Sequence, residues 1–184
     1  MGSKAIISVL GPDRPGILAA VSKLLLELDC NIENARQTIL QGEFAGIFIA
    51  SIPQGLKPAE INNRMQAALS PMDLTVHVKN LSLTPFAAGC ACEPFVITTQ
   101  GPDRKGLVAG ITRILACYGV NVTNLQAVFR GGNDPEGNVM IYEVDIPADI
   151  DSQALYADLR SGAQALELSI SIQHRNIFEA LNRI

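Results

Sequence analysis

The chain has 184 residues, 48% of them hydrophobic and 17% charged. That is enough apolar material for real cores and too little charge for a disordered chain. Fourteen Lys and Arg against eighteen Asp and Glu leave a net charge of −4, with no Trp and only 5% aromatic residues. Direct nucleic-acid binding lacks both its basic patch and its stacking platform. No apolar run approaches the roughly 20 residues that span a bilayer. The first run, Ile6 to Leu10, is cut by Gly11-Pro12-Asp13-Arg14 before it reaches the length of a leader. The expectation is a cytoplasmic protein with no membrane contact.

In chain order, period-2 alternation predicts strands over 4–10, 31–40, 44–52 and 73–79, and period-3.6 apolar faces predict helices over 15–28 and 58–69. The same series then returns: strands over 95–100, 121–129, 139–146 and 167–173, helices over 105–118 and 152–164, and a short terminal helix over 176–183. Gly11-Pro-Asp-Arg-Pro-Gly-Ile17 and Gly101-Pro-Asp-Arg-Lys-Gly-Leu107 mark the repeat at an offset of 90 residues, which becomes 94 by Ile52-Pro53 and Ile146-Pro147. The four extra residues fall in a hairpin, most simply in the Gly-rich stretch 131–137. Each copy reads βαββαβ, the ferredoxin-like order. The expectation is an α+β fold of two ferredoxin-like domains with antiparallel sheets, paired side by side: residues 1–80, a linker over 81–92, and residues 93–184. Ile47 and Ile49 alternate with Phe48, so both faces of that strand read as apolar and suggest self-association as a dimer.

Two readings of the repeated turn stand side by side. In one, Gly-Pro opens a turn, Asp13 or Asp103 caps the helix, and Pro15 sits in its first turn. In the other, Gly16 and Gly106 lie just inside the helix, where Gly costs about 1 kcal/mol against Ala, and let a small ligand approach the helix end. Free N–H groups there suit a carboxylate, and Asp13 or Asp103 suits an ammonium; an amino acid offers both. Asn31 and Asn121 open the next strand, near the helix's far end, so one copy alone does not assure their proximity to this turn, and a neighbouring copy could bring one across.

Catalysis finds little support. His77 and His174 have no counterparts in the other copy, and neither turn matches a phosphate-binding loop. Cys90 and Cys92 form C-x-C in the linker without a second ligand pair, and Cys30 and Cys117 read as small buried hydrophobes near helix ends. No cofactor or metal is expected.

With its two βαββαβ units, its Gly-Pro-Asp-Arg-x-Gly turns and the Asn-Ile or Asn-Val that follows, the chain resembles tandem ACT domains, from residue 4 to about 173. It is most similar to the stand-alone pair of the glycine cleavage system transcriptional repressor family. The first copy is also similar to the regulatory end of formyltetrahydrofolate deformylases. The resemblance implies a non-enzymatic regulator that binds a small, amino-acid-like ligand at domain interfaces and works through a protein partner such as a transcriptional regulator. Its ligand contacts would be Asp13, Arg14, Gly16, Ile17 and Leu18, with Asn31 and Ile32. In the second copy they would be Asp103, Arg104, Gly106, Leu107 and Val108, with Asn121 and Val122. A structural interaction module with vestigial sites is the alternative.

Overall fold

A computed structural model describes residues 3–81, 91–129 and 137–181. The linker residues 82–90 with Cys90, the hairpin insertion at 131–136, and the end of the terminal helix at 182–183 lie outside the described residues. The chain divides into two compact units, Met1–Pro85 and Phe86–Ile184.

In the first unit, β1 (Ser3–Pro12), α1 (Ile17–Glu27), β2 (Asn31–Leu40), β3 (Glu43–Ile52), α2 (Pro58–Leu69) and β4 (Thr75–Asn80) follow in order. The strands make one antiparallel sheet in the order β2-β3-β1-β4. Alternation sends Ala5, Ile7 and Val9 of β1 and Phe44, Phe48 and Ala50 of β3 to one face of that sheet. There they meet Ile17, Val21 and Leu25 of α1 and Ile61, Met65 and Leu69 of α2, all essentially buried. Burial of each such side chain contributes about 1.5–3 kcal/mol. On the opposite face Leu10 and Ile47 are exposed, so the apolar character of both faces of β3 is real.

The second unit repeats this plan with β5 (Cys92–Gly101), α3 (Leu107–Cys117), β6 (Asn121–Phe129), β7 (Asn138–Pro147), α4 (Ser152–Ala165) and β8 (Ser169–His174), and adds α5 (Arg175–Leu181). Its sheet order is β6-β7-β5-β8. Even an irregularity is copied: a bulge falls between Ile32 and Asn34, and again between Val122 and Asn124. Among the described residues no helix is long and apolar enough to cross a membrane.

Several expectations need correction. Helices α1 and α3 begin two residues later than the apolar pattern suggested, because Gly16 and Gly106 take positive φ and so stand outside a right-handed helix. Strands β4 and β8 begin two residues late for a related reason: Asp73 and Glu167 sit at φ 58° and 55°. Cys30 is buried as expected, and burial followed by the neighbouring Asp29 carboxylate pushes its thiol pKa up. Cys117 is exposed, since it lies off the face that buries Leu107, Ile111 and Leu115. Cys92 belongs to β5, where it pairs with Pro147.

The edge strand β4 is partly closed by α2. The Val76 N–H donates to Gln66 Oε1 at 2.8 Å, Gln66 Nε2 donates to the Leu74 carbonyl at 3.0 Å, and the Val78 N–H donates to Asn62 Oδ1 at 3.0 Å. These bonds occupy backbone groups that an edge would otherwise offer to another strand. Gln66→Leu therefore lowers stability by about 1–3 kcal/mol in urea unfolding, by leaving two partly buried backbone groups unpaired. Unchanged stability would show that water replaces the amide at no cost.

Candidate ligand-binding turns

Both repeats connect their first strand to their first helix through the same turn. The Asp13 N–H donates to the Gly42 carbonyl at 2.8 Å, which ties the turn to the β2–β3 hairpin. Gly16 then takes φ 96° and serves as the N-terminal cap residue of α1; its carbonyl accepts the first helical bond, from Ala20, at 2.9 Å. Gly106 does the same for α3 at φ 89°, accepting from Gly110 at 2.8 Å. Neither Asp13 nor Asp103 caps its helix, and no side chain does. The contrast with α4 is direct, since Asp151 Oδ1 accepts there from the N–H groups of Gln153 and Ala154. Helix α2 likewise has no side-chain cap, so α1 and α3 share that feature with it and differ from α4. Their first N–H groups carry the positive end of the helix dipole.

The first glycine of each motif has a separate reason. A Cβ on Gly11 would lie 2.5 Å from the Asp73 carbonyl, and one on Gly101 would lie 2.7 Å from that of Glu167. The turn before β4 or β8 thus packs against a strand end that tolerates no side chain. Arg14 reaches that same turn and pairs with Asp73 at 3.9 Å, and Arg104 pairs with Glu167. Both pairs are exposed and each contributes at most about 1 kcal/mol. The Arg of the motif is therefore partnered within its own unit.

An open groove lies over each turn. The first, of about 260 Å³, is lined by Asp13, Arg14, Gly16, Ile17 and Leu18 on one side and by Gln37 and Phe44 on the other. The second, of about 610 Å³, is lined by Asp103, Arg104, Lys105, Gly106, Leu107 and Val108, and extends along α3 to Thr112. Ligand pockets typically hold roughly 300–1,000 Å³. All ten expected turn residues are brought together at their groove.

The expected strand residues are not brought there within either unit. Asn31 and Ile32 pair with Ser51 and Ala50, whereas the turn adjoins Phe44, which faces Gly11. Seven residues of strand separate those positions, about 23 Å at 3.3 Å per residue. Asn121 and Val122 pair with Asp145 and Val144, equally far from Asn138, which faces Gly101.

One residue that sequence reasoning missed is Asn138, the counterpart of Phe44. It is 2% exposed, its Nδ2 donates to Asp103 Oδ1 at 3.2 Å, and its Oδ1 meets no donor among the described residues. Nearby core positions are also more polar than in the first copy. Thr99 replaces Val9 and is fully buried, and Tyr142 replaces Phe48, its hydroxyl donating to Met140 Sδ at 3.4 Å while burial pushes its pKa up. His77 is exposed on β4, opposite Ser8, and His174 packs edge-on against Phe95 at 5.3 Å.

These features define a tandem α+β protein built from two copies of one ferredoxin-like module. The ACT domain family model matches residues 3–79 and again residues 93–173, and the chain belongs to that family of ligand-sensing regulatory domains. A UPF0237 protein of Methanocaldococcus jannaschii is 44% identical over 90 residues, covering 48% of this chain and 96% of its own length. One from Corynebacterium efficiens is 38% identical over 80 residues, covering 43% of this chain and 90% of its own. Among solved structures, a protein of Galdieria sulphuraria shares the fold over 95% of this chain and 99% of that one, at a TM-score of 0.78 and 22% identity. A structure carrying the name glycine cleavage system transcriptional repressor covers 94% and 97%, at 0.64 and 19%.

The positive φ overturns the expectation that Ala at Gly16 or Gly106 helps the helix. An added Cβ meets nothing within 4 Å at either site, so the cost is backbone strain alone. Gly16→Ala and Gly106→Ala each lose about 1–2 kcal/mol, and Asn at the same positions loses less, since it enters this region more readily. Denaturant unfolding that finds the Ala variants as stable as the parent contradicts this backbone assignment.

Proposed function

We propose that this chain is a non-catalytic regulator that senses a small ligand, an amino acid, at its Gly-Pro-Asp-Arg turns and passes the signal to a protein partner such as a transcriptional regulator. The observation that carries the reading is the repeated helix N-terminus, left uncapped by any side chain, that lies in a groove beside an exposed aspartate in both copies. The N–H groups of Ile17 and Leu18, or of Leu107 and Val108, suit a carboxylate, and Asp13 or Asp103 suits the ammonium. Each hydrogen bond to a charged group contributes about 1.5–3 kcal/mol. A place in repressing glycine cleavage transcription is the role suggested by the name of the structural relative, and glycine and serine are the first ligands to try.

A second reading has its own support. The Arg14–Asp73 and Arg104–Glu167 pairs, the close approach at Gly11 and Gly101, and the positive φ at Gly16 and Gly106 together account for most of the motif by folding alone. On that reading the chain is an interaction module whose turns hold shape only. The exposed Leu10 and Ile47 on the open face of the first sheet fit self-association under either reading, most simply as a two-fold dimer. Light scattering that reports a monomer at tens of micromolar, roughly the range in which weak contacts form, removes that part.

Thermal unfolding with a panel of free amino acids separates the two readings. A ligand at a hundred times its Kd stabilises the native state by about 2.7 kcal/mol, a rise in Tm of several degrees for a domain of this size. No rise with any amino acid leaves the interaction module as the account.

A further inference from the structure

The two sheets differ on the face turned away from their helices. In the first, alternation sets Ile6, Ser8 and Leu10 of β1 opposite Ile49, Ile47 and Ala45 of β3 on that open face. Leu10 is 55% exposed and Ile47 51%, with Ile6 and Ile49 half-buried beside them. The equivalent face of the second sheet has a cover. Val96, the counterpart of Ile6, is 3% exposed although its neighbour Ile97 already fills the core on the other side. Helix α5 packs against β5 and β8, and its Arg175 pairs at 3.5 Å with Glu143, which stands opposite Val96. That face also carries Gln100 and Glu143 where the first carries Leu10 and Ile49. We propose that the open face of the first sheet is the contact of a two-fold dimer whose axis lies across the strands, and that α5 keeps the second sheet out of that contact. The inference rests on the self-association reading above and gives it a surface and an orientation.

Size, composition and charge each favour a second copy as the occupant. The face runs about 30 Å along β1 and β3 and about 19 Å across four strands. With side-chain relief counted, that approaches the roughly 800 Å² that each partner gives to a standard interface. Its centre is apolar, while Arg36 and His77 stand on the outer strands β2 and β4, at the rim, where charge stays hydrated. The ends carry opposite charges. Lys79 lies in register with Ile6 and Glu43 with Pro12, about 20 Å apart along the strands. Neither has an ion-pair partner among the described residues, whereas Lys4, at the Lys79 end, is held by Glu33 at 2.5 Å. A two-fold axis across the strands lays the Glu43 end of each copy over the Lys79 end of the other; an axis along the strands lays like charge on like. The pattern is therefore self-complementary in one orientation, as a contact between identical surfaces requires.

Sedimentation velocity of the full chain, over a roughly hundredfold range of concentration around tens of micromolar, tests the surface and the orientation together. The unaltered chain is expected to be a dimer. Ile47→Glu and Leu10→Lys, both at exposed positions, are expected to leave the fold intact by circular dichroism and to give monomers. Gln100→Lys, the matching change on the second sheet, leaves the dimer unchanged. Glu43→Lys and Lys79→Glu each weaken the dimer about threefold to tenfold, and the two changes combined in one chain restore it. Methyl resonances of the unaltered chain need no variant: Leu10 and Ile47 shift on dilution while Val96 and Ile141 do not. A dimer that survives in folded Ile47→Glu and Leu10→Lys proteins uses another surface and overturns the inference. So does a dimer that Gln100→Lys breaks equally well, or a double charge variant no tighter than either single one. A monomeric unaltered chain overturns the self-association reading itself and this inference with it, an outcome distinct from a dimer formed elsewhere.

Discussion

Each unit depends on one contact between backbones, made at the end of its first strand. Gly11 and Gly101 let the turn before the last strand approach to distances that any Cβ would block, and this locks the sheet's centre to its edge. The chain must then climb at once into a helix, and positive φ at Gly16 or Gly106 accomplishes the change of direction. From there the amphipathic face of α1 or α3 has no freedom: Ile17, Val21 and Leu25, or Leu107, Ile111 and Leu115, must meet the sheet. The same geometry leaves the helix N-terminus beside a groove. Folding and site are thus consequences of one turn, which is why the motif alone cannot separate a turn from a sensor.

The two copies differ outside the motif. Gly, Pro, Asp and Arg occur in both copies, and the glycines and the arginine have a backbone reason or a partner within their own unit. Beside it Pro15 stands against Lys105, and Phe44 against Asn138. A core that exchanges Val9, Phe44 and Phe48 for Thr99, Asn138 and Tyr142 has given up apolar burial close to one groove and not the other. Transfer of polar groups from water into a core is costly unless they are hydrogen-bonded, and of these three Asn138 is bonded to Asp103.

Much of the fold was legible because it rests on local periodicity. The alternation of Ala5, Ile7 and Val9 and the spacing of Ile17, Val21 and Leu25 declare a strand and a helix face without any long-range information, and the 90-residue offset repeats the declaration. The start of α1 was not legible, since Gly is compatible with both a helix's first turn and a positive-φ cap. The exposure of Cys117 was legible in principle, since it stands two residues past Leu115 and so falls on the opposite side of the helix. Asn138 was visible in principle: it stands in phase with Met140, Tyr142, Val144 and Ile146, all buried, so a polar residue there breaks the strand's own pattern. It escaped notice because it lies more than thirty residues from the turn it touches, and only strand pairing brings Gly101 opposite it.

The central claim is that the uncapped helix end and the aspartate beside it hold the two charged ends of an amino acid. A crystal structure of the chain grown with glycine or L-serine tests this most directly. The account predicts a carboxylate within hydrogen-bond distance of the Ile17 and Leu18 or the Leu107 and Val108 N–H groups, with the ammonium on Asp13 or Asp103. An amino acid bound elsewhere, or held in the reverse orientation, would contradict it.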